Sequence, residues 1–336
     1  MRFYTKLISN LLFLSFLLFS PLKSISDDFT KGYKISDTFY LGGYLSTEYE
    51  KSDEKEAFLV DDLAFLLYGE DDRWDFVSEF EAKDIYINQN TPMKVEDSNL
   101  NFKIERINLT YYIDNYQTIK IGKFNSPIGF WNIMPINVLR DTTSSPYIVE
   151  NSFPKLTSGI CYRFALNENF DFLYITLQNN EDIDSSYNNF KIKKHYGITL
   201  EFEKKNGIFK VSGGYFRQRD NKESIYSVFA FKKIEQNYTL TIESSIKKID
   251  SSNLIPYDVY LQNVWNLSEH YYLITRFEKY KTHEEDILTD SENIEENIWT
   301  FGLTYRPYPN VAIKGEYNRY SIQKSDKWLF SFSFMF

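Results

Sequence analysis

Trp328-Leu-Phe330-Ser-Phe332-Ser-Phe334-Met-Phe336 decides how this chain folds. Successive side chains of a strand alternate, so Trp328, Phe330, Phe332, Phe334 and Phe336 share one face, with Ser331 and Ser333 on the other. In water, such a flat apolar row invites other strands and aggregates. Against lipid the same row is stable. The expected fold class is therefore all-β, a transmembrane antiparallel β-barrel.

The rest of the chain repeats this alternation. Leu63, Phe65 and Leu67 alternate with Asp62, Ala64 and Tyr68, and Ile107, Leu109 and Tyr111 with Arg106, Asn108 and Thr110. Trp299, Phe301, Leu303 and Tyr305 alternate with Thr300, Gly302 and Thr304. Sixteen such segments are predicted, near 38–50, 58–69, 73–86, 100–113, 116–124, 157–165, 169–179, 194–204, 207–218, 222–233, 236–248, 255–266, 269–281, 295–307, 309–321 and 326–336. Short turns such as Asp114-Asn-Tyr116 and Pro307-Tyr-Pro-Asn310 follow the even-numbered segments. Longer stretches, near 87–99, 125–156, 180–193 and 282–294, follow odd-numbered ones. Short periplasmic turns opposite longer external loops are the asymmetry of an outer-membrane barrel. Sixteen strands enclose an aqueous lumen.

The N-terminus agrees with export. Arg2 and Lys6 precede an apolar run from Leu11 to Phe19, then Pro21 and Ser24-Ile25-Ser26, so residues 1–26 read as a cleaved signal peptide and 27–336 as one barrel domain. The apolar run falls short of the roughly 20 residues that span a bilayer. Removing Arg2, Lys6 and Lys23 from 38 basic residues leaves 35 against 47 acids, a net charge of −12. That balance gives no basic footprint for nucleic acid. The 27 Tyr, 29 Phe and 5 Trp suit a protein with two membrane–water interfaces. Cys161 is the only cysteine, which rules out an intramolecular disulfide; it reads as a small barrel-wall residue, with a reactive thiol as the alternative.

The third external stretch, 125–156, is the longest and is expected to be functional. Ile119-Lys-Ile-Gly-Lys-Phe-Asn-Ser-Pro-Ile-Gly-Phe-Trp131 resembles the corresponding strand and loop of the phosphate-selective porin O/P family, as do the turn Tyr305–Glu316 and the terminal aromatic. The resemblance implies a bacterial outer-membrane porin, a homotrimer with a third loop folded inward as a constriction, and anion selectivity. A last-residue phenylalanine resembles the signal read by the barrel-assembly machinery, with Phe336, Phe334 and Trp328 carrying it. Lipid, lipopolysaccharide and small hydrophilic solutes are the remaining partners expected in the outer membrane of a Gram-negative bacterium.

The residues themselves give the anion expectation little support. Arg106, Lys120, Arg163, Lys210, Arg276 and Lys314 face inward by parity, but so do Asp62, Glu79, Glu81, Glu201, Glu203, Glu243, Glu278 and Glu316. A mixed lumen suits a broad hydrophilic pore. Arg140, Asp141, Glu150 and Lys155 either project from the loop toward wall residues such as Arg106 and Arg163, or solvate an external loop. Trp131 and Phe130 are expected to anchor the loop.

Catalysis is not expected, nor is a cofactor. His195, His270 and His283 are the only histidines and read as isolated surface groups; no Gly-x-Ser-x-Gly elbow or HExxH is present, and three histidines make a dedicated zinc site implausible. A non-conducting adhesin or structural barrel stays open as an alternative.

Overall fold

The computed structural model describes residues 32–336 apart from 91–93, 99, 168–170, 206, 251–254, 285–291 and 323–324. The proposed signal peptide lies outside the described residues. Sixteen strands form one antiparallel sheet closed on itself. They are β1 (Phe39–Ser52), β2 (Glu56–Asp71), β3 (Trp74–Asn90), β4 (Lys103–Tyr112), β5 (Gln117–Asn125), β6 (Leu156–Ala165), β7 (Phe172–Gln178) and β8 (Ile192–Lys204). The second half comprises β9 (Gly207–Gln218), β10 (Glu223–Glu235), β11 (Tyr238–Ile249), β12 (Tyr257–Asn266), β13 (Tyr271–Glu284), β14 (Glu292–Tyr308), β15 (Val311–Tyr320) and β16 (Lys327–Met335). Each strand pairs with its sequence neighbours. The last pairs with the first, from Lys327↔Ser52 to Met335↔Tyr44, and Phe336 and Gly43 exchange backbone hydrogen bonds of 2.8 and 2.9 Å at the seam. Closure leaves no strand edge, which the hydrocarbon core could not satisfy with water.

All sixteen sequence segments coincide with these strands. Two stretches read as loops continue as strand instead. β3 runs to Asn90 and pairs there with a short flap, Lys94–Ser98, and β13 and β14 stay paired as far as Glu284↔Glu292. Sequences such as Ile85-Tyr-Ile-Asn-Gln-Asn90 and Glu292-Asn-Ile-Glu-Glu-Asn297 contain too many polar residues to show a lipid-facing row. Alternation therefore fades there while pairing persists.

The outer surface is the expected apolar belt: Leu109, Ile121, Ile160, Ile198, Val211, Phe229, Phe301 and Phe330 are exposed at alternate positions. Their inward neighbours are polar and buried, among them Thr199, Ser212, Thr300, Thr304 and Ser331. Burial of those positions has a specific cause. Residues 126–155, between β5 and β6, fill much of the interior.

That segment is not featureless. It contains a 3-10 turn, Asn137–Leu139, and one helical turn, α1 (Tyr147–Asn151). Its apolar residues Ile128, Trp131, Ile148, Val149 and Phe153 pack on Ile192, Phe216, Tyr226, Val228 and Tyr260 of β8–β12. Ile136 and Val138 pack on Tyr44, Leu66, Ala312 and Met335 of β1, β2, β15 and β16. Burying such side chains contributes about 1.5–3 kcal/mol each.

Candidate functional site

The segment crosses the interior because the opposite wall hydrogen-bonds its backbone. Glu243 on β11 accepts from the amides of Phe130 (2.8 Å) and Trp131 (3.1 Å), and from the Tyr260 hydroxyl (2.9 Å). Glu316 on β15 accepts from the Thr143 and Ser144 amides at 3.0 and 3.1 Å. Glu278 on β13 accepts from the Tyr147 amide at 2.8 Å. Cations answer the carbonyls: Arg276 donates to Ser144 O at 3.0 Å, Arg306 to Arg140 O at 2.8 Å and to Val138 O, Lys314 to Asn137 O, and Lys247 to Asn151 O. Charge-assisted bonds to backbone are among the stronger ones. Many inward charges of β11–β15 are therefore spent on holding this loop.

A second loop, between β7 and β8, clamps its other half. Asn189 Nδ2 donates to the carbonyls of Val149 (3.0 Å), Glu150 (3.0 Å) and Phe153 (2.8 Å), and its Oδ1 accepts from the Lys155 amide. Nothing in Asn188-Asn189 marks it as a clamp, because asparagine is ordinary loop composition.

Two cavities lie along β2–β7. One cavity, of about 190 Å³, is lined by Asp61 and Asp62 of β2, Glu81 and Lys83 of β3 and Glu105 of β4, facing Arg140, Glu150 and Lys155 of the loop. A second, of about 290 Å³, is lined by Asp75, Tyr112, Lys120, Cys161, Arg163 and Tyr174. Asn125 borders both. The second lies nearer the short turns.

Two β-bulges shape the acidic wall. Pairing of β2 with β1 slips between Val60 and Asp62, leaving Asp61 extra, and pairing of β4 with β3 slips between Ile104 and Arg106, leaving Glu105 extra. A bulge lets two successive side chains serve one face. Asp61 would meet lipid under strict alternation; with the bulge it borders the cavity beside Asp62.

The seven candidate residues separate accordingly. Arg140, Glu150 and Lys155 come together at the first cavity, with Lys155 paired to Glu150 at 3.0 Å and the Arg140 guanidinium 5.6 Å from the Trp131 ring. Lys120 and Arg163 come together at the second, where Arg163 lies 3.5 Å from the centre of the Phe172 ring. Arg106 is tied to Glu79 and borders neither. Asp141 turns toward β14, 3.9 Å from Arg306, and burial raises its carboxyl above the ordinary value while Arg306 and Lys314 pull it back. The surface facing Arg140 is thus acidic, whereas the sequence suggested Arg106 and Arg163. Sequence reasoning also passed over Asp61, Lys83, Glu105 and Tyr187.

One histidine departs from expectation. His195 is fully buried, Nδ1 at 2.9 Å from Thr157 Oγ1 and Nε2 at 2.8 Å from the Tyr226 hydroxyl. It bridges the foot of the loop to β10. His270 is exposed and bonds Arg306 O, and the side chain of His283 is outside the described residues. Among the described residues no group of His, Cys, Asp and Glu could hold a metal ion.

Comparison with known proteins fits this geometry. Residues 64–334 match the model of the family described as "Putative beta-barrel porin-2, OmpL-like". The chain belongs to this porin family. Its fold and family mark it as an outer-membrane protein. The fold recurs in Salmonella typhi OmpF in complex with daunomycin (TM-score 0.64, 12% identity, 89% of this chain and 97% of that one). It recurs in a trimer form of OmpT from Vibrio cholerae (0.62, 9%, 89% and 99%) and in an anion-selective porin from Comamonas acidovorans (0.60, 8%, 89% and 99%). At these identities the likeness is one of fold. No curated protein sequence matches the chain. The family matched is not the phosphate-selective porin O/P family that the segments Ile119–Trp131 and Tyr305–Glu316 and the terminal aromatic resemble.

Proposed function

We propose that this porin passes small hydrophilic solutes and ions by passive diffusion, through a channel narrowed by the inward third loop. The observation that carries this is the pair of adjoining cavities left between the loop and β2–β7 while the loop packs on β8–β12 and across the seam of β15, β16, β1 and β2. On this reading Arg140, Glu150 and Lys155 line the narrow point, with Lys120 and Arg163 in the chamber beyond. Asp141 and Arg106 then act on the loop and wall. The polypeptide would be exported to the outer membrane of a Gram-negative bacterium with loss of residues 1–26, recognised by the barrel-assembly machinery through Trp328, Phe334 and Phe336, and surrounded by lipid and lipopolysaccharide. It would assemble as a homotrimer, as the OmpT trimer form suggests.

The anion-selective alternative finds less support, since the narrow cavity has more acids than bases. A non-conducting adhesin leaves a lumen lined by unspent charge without a use. An enzymatic alternative finds less support, since the hydroxyl–imidazole contact of Thr157 with His195 is fully buried and borders neither cavity. Planar-bilayer recording of the purified protein tests the reading. Stepwise currents, closing in three equal steps for a trimer, are expected. Absence of current from protein that is folded in detergent would reject it.

A further inference from the structure

We propose that this channel is selective for cations, and that it favours small organic cations of the amine and guanidinium class. The proposal deepens the porin reading and rests on it. Formal charge at the narrow cavity comes from five acids, Asp61, Asp62, Glu81, Glu105 and Glu150, against three bases, Lys83, Arg140 and Lys155. Lys155 is paired with Glu150 on the loop itself. The strand wall therefore sets four carboxylates against Lys83 alone.

Two of those carboxylates are not fully used. Asp62 and Glu81 are 7% and 1% exposed, and among the described residues Asp62 Oδ1 and Glu81 Oε2 accept no hydrogen bond. Their other oxygens are engaged, Asp62 Oδ2 by Ser46 and Glu81 Oε1 by Tyr44. The remaining oxygens share one ion-pair partner, the Lys83 ammonium, and belong to residues lining the cavity. A buried acceptor without a hydrogen bond of its own is costly, so a donor that supplies one gains.

Lys83 shows what kind of guest the place takes. Its ammonium lies 3.9 Å from Asp62 Oδ1, 3.5 Å from Glu81 Oε2 and 4.9 Å from the centre of the Tyr187 ring. Those separations exceed hydrogen-bond length. Carboxylate edges beside an aromatic face suit a planar or compact nitrogen cation. The bulges supply the surplus charge, because Asp61 and Glu105 are the extra residues of β2 against β1 and of β4 against β3. The wall then acts on passing solutes as a field with weak contacts.

Reversal potentials of the full chain in asymmetric potassium chloride test this. A potassium-to-chloride permeability ratio of at least about 5 is expected, the discrimination that even one of the two uncompensated charges gives through water at contact distance. Asp61→Asn with Glu105→Gln is expected to bring the ratio to about 1–2. Bi-ionic recording of the unaltered protein with guanidinium chloride against potassium chloride is expected to show guanidinium at least as permeant as potassium. A conducting pore with a ratio at or below unity, or with guanidinium excluded, overturns this inference and leaves the porin reading standing. So does an unchanged ratio in a conducting double variant. A folded protein that passes no current overturns both.

Discussion

Gly129 shows how a single residue seats the third loop. Its φ of +64° lies in the left-handed region, and a Cβ there would come within 2.3 Å of Glu243 Oε2. Both constraints ask for glycine. They also place the amides of the next two residues, Phe130 and Trp131, on the Glu243 carboxylate. Glu243→Ala orphans two buried amides at roughly 1–3 kcal/mol each, so the loop loses a principal attachment. Gly129→Ala is expected to act in the same direction through strain. In single-channel records, the Glu243→Ala protein should spend at least about tenfold more time in a wider, noisier conducting level, the change produced by roughly 1.4 kcal/mol. Indistinguishable records would mean that Glu243 does not hold the loop.

Among the elements, the seam between β16 and β1 closes the cylinder, and Gly43 is its tight point. A Cβ at Gly43 would sit 2.4 Å from the Ala64 carbonyl oxygen and 2.7 Å from the Phe336 ring. Gly43→Leu should therefore cost about 1–3 kcal/mol by overpacking and pull Phe336 from the seam. Its mark would be a lower temperature for the heat-induced shift from folded to unfolded mobility in detergent gels. The strands themselves were legible in the sequence, because lipid and water on opposite faces impose a period of two on Trp299–Tyr305 and Trp328–Phe336 alike. Their outer extensions were not, since β3, β13 and β14 lose the lipid contact that writes the pattern. The bulges left a trace that parity reading skipped: Asp61-Asp62 and Glu105-Arg106 each put two successive charges into an alternating strand. A charge cannot face lipid cheaply, so such a doublet signals an extra residue. The loop anchors were invisible for another reason. Glu243, Glu278, Glu316, Lys314 and Arg276 grip backbone amides and carbonyls, which every sequence supplies, and no motif records which wall a loop will meet.

On the proposed reading the whole molecule is a wide cylinder narrowed by its own chain, with the loop packed on β1, part of β2 and β8–β16 and a route left along β2–β7. A charge count over all inward residues overstates what a solute meets, because much of that charge is already bound to loop backbone. The chain carries one native probe of the route. Cys161 is its single cysteine and lines the chamber with Lys120 and Arg163, across Asn125 from the acidic wall. If the two cavities join into one path, a small thiosulfonate reagent added on the loop side passes the wall before it reaches the thiol. Trimethylammonium-ethyl methanethiosulfonate should then modify Cys161 and lower the unitary current in a single step that outlasts washing and that a thiol reductant reverses. The negatively charged sulfonatoethyl reagent should react more slowly from that side, since the wall repels it while the surrounding solution does not. Cys161→Ser should abolish both effects and leave conductance as it was. Modification confirmed by mass with no change in current would place the conducting path elsewhere than β5 and β6, and the lumen would have to be read again from the loop outward.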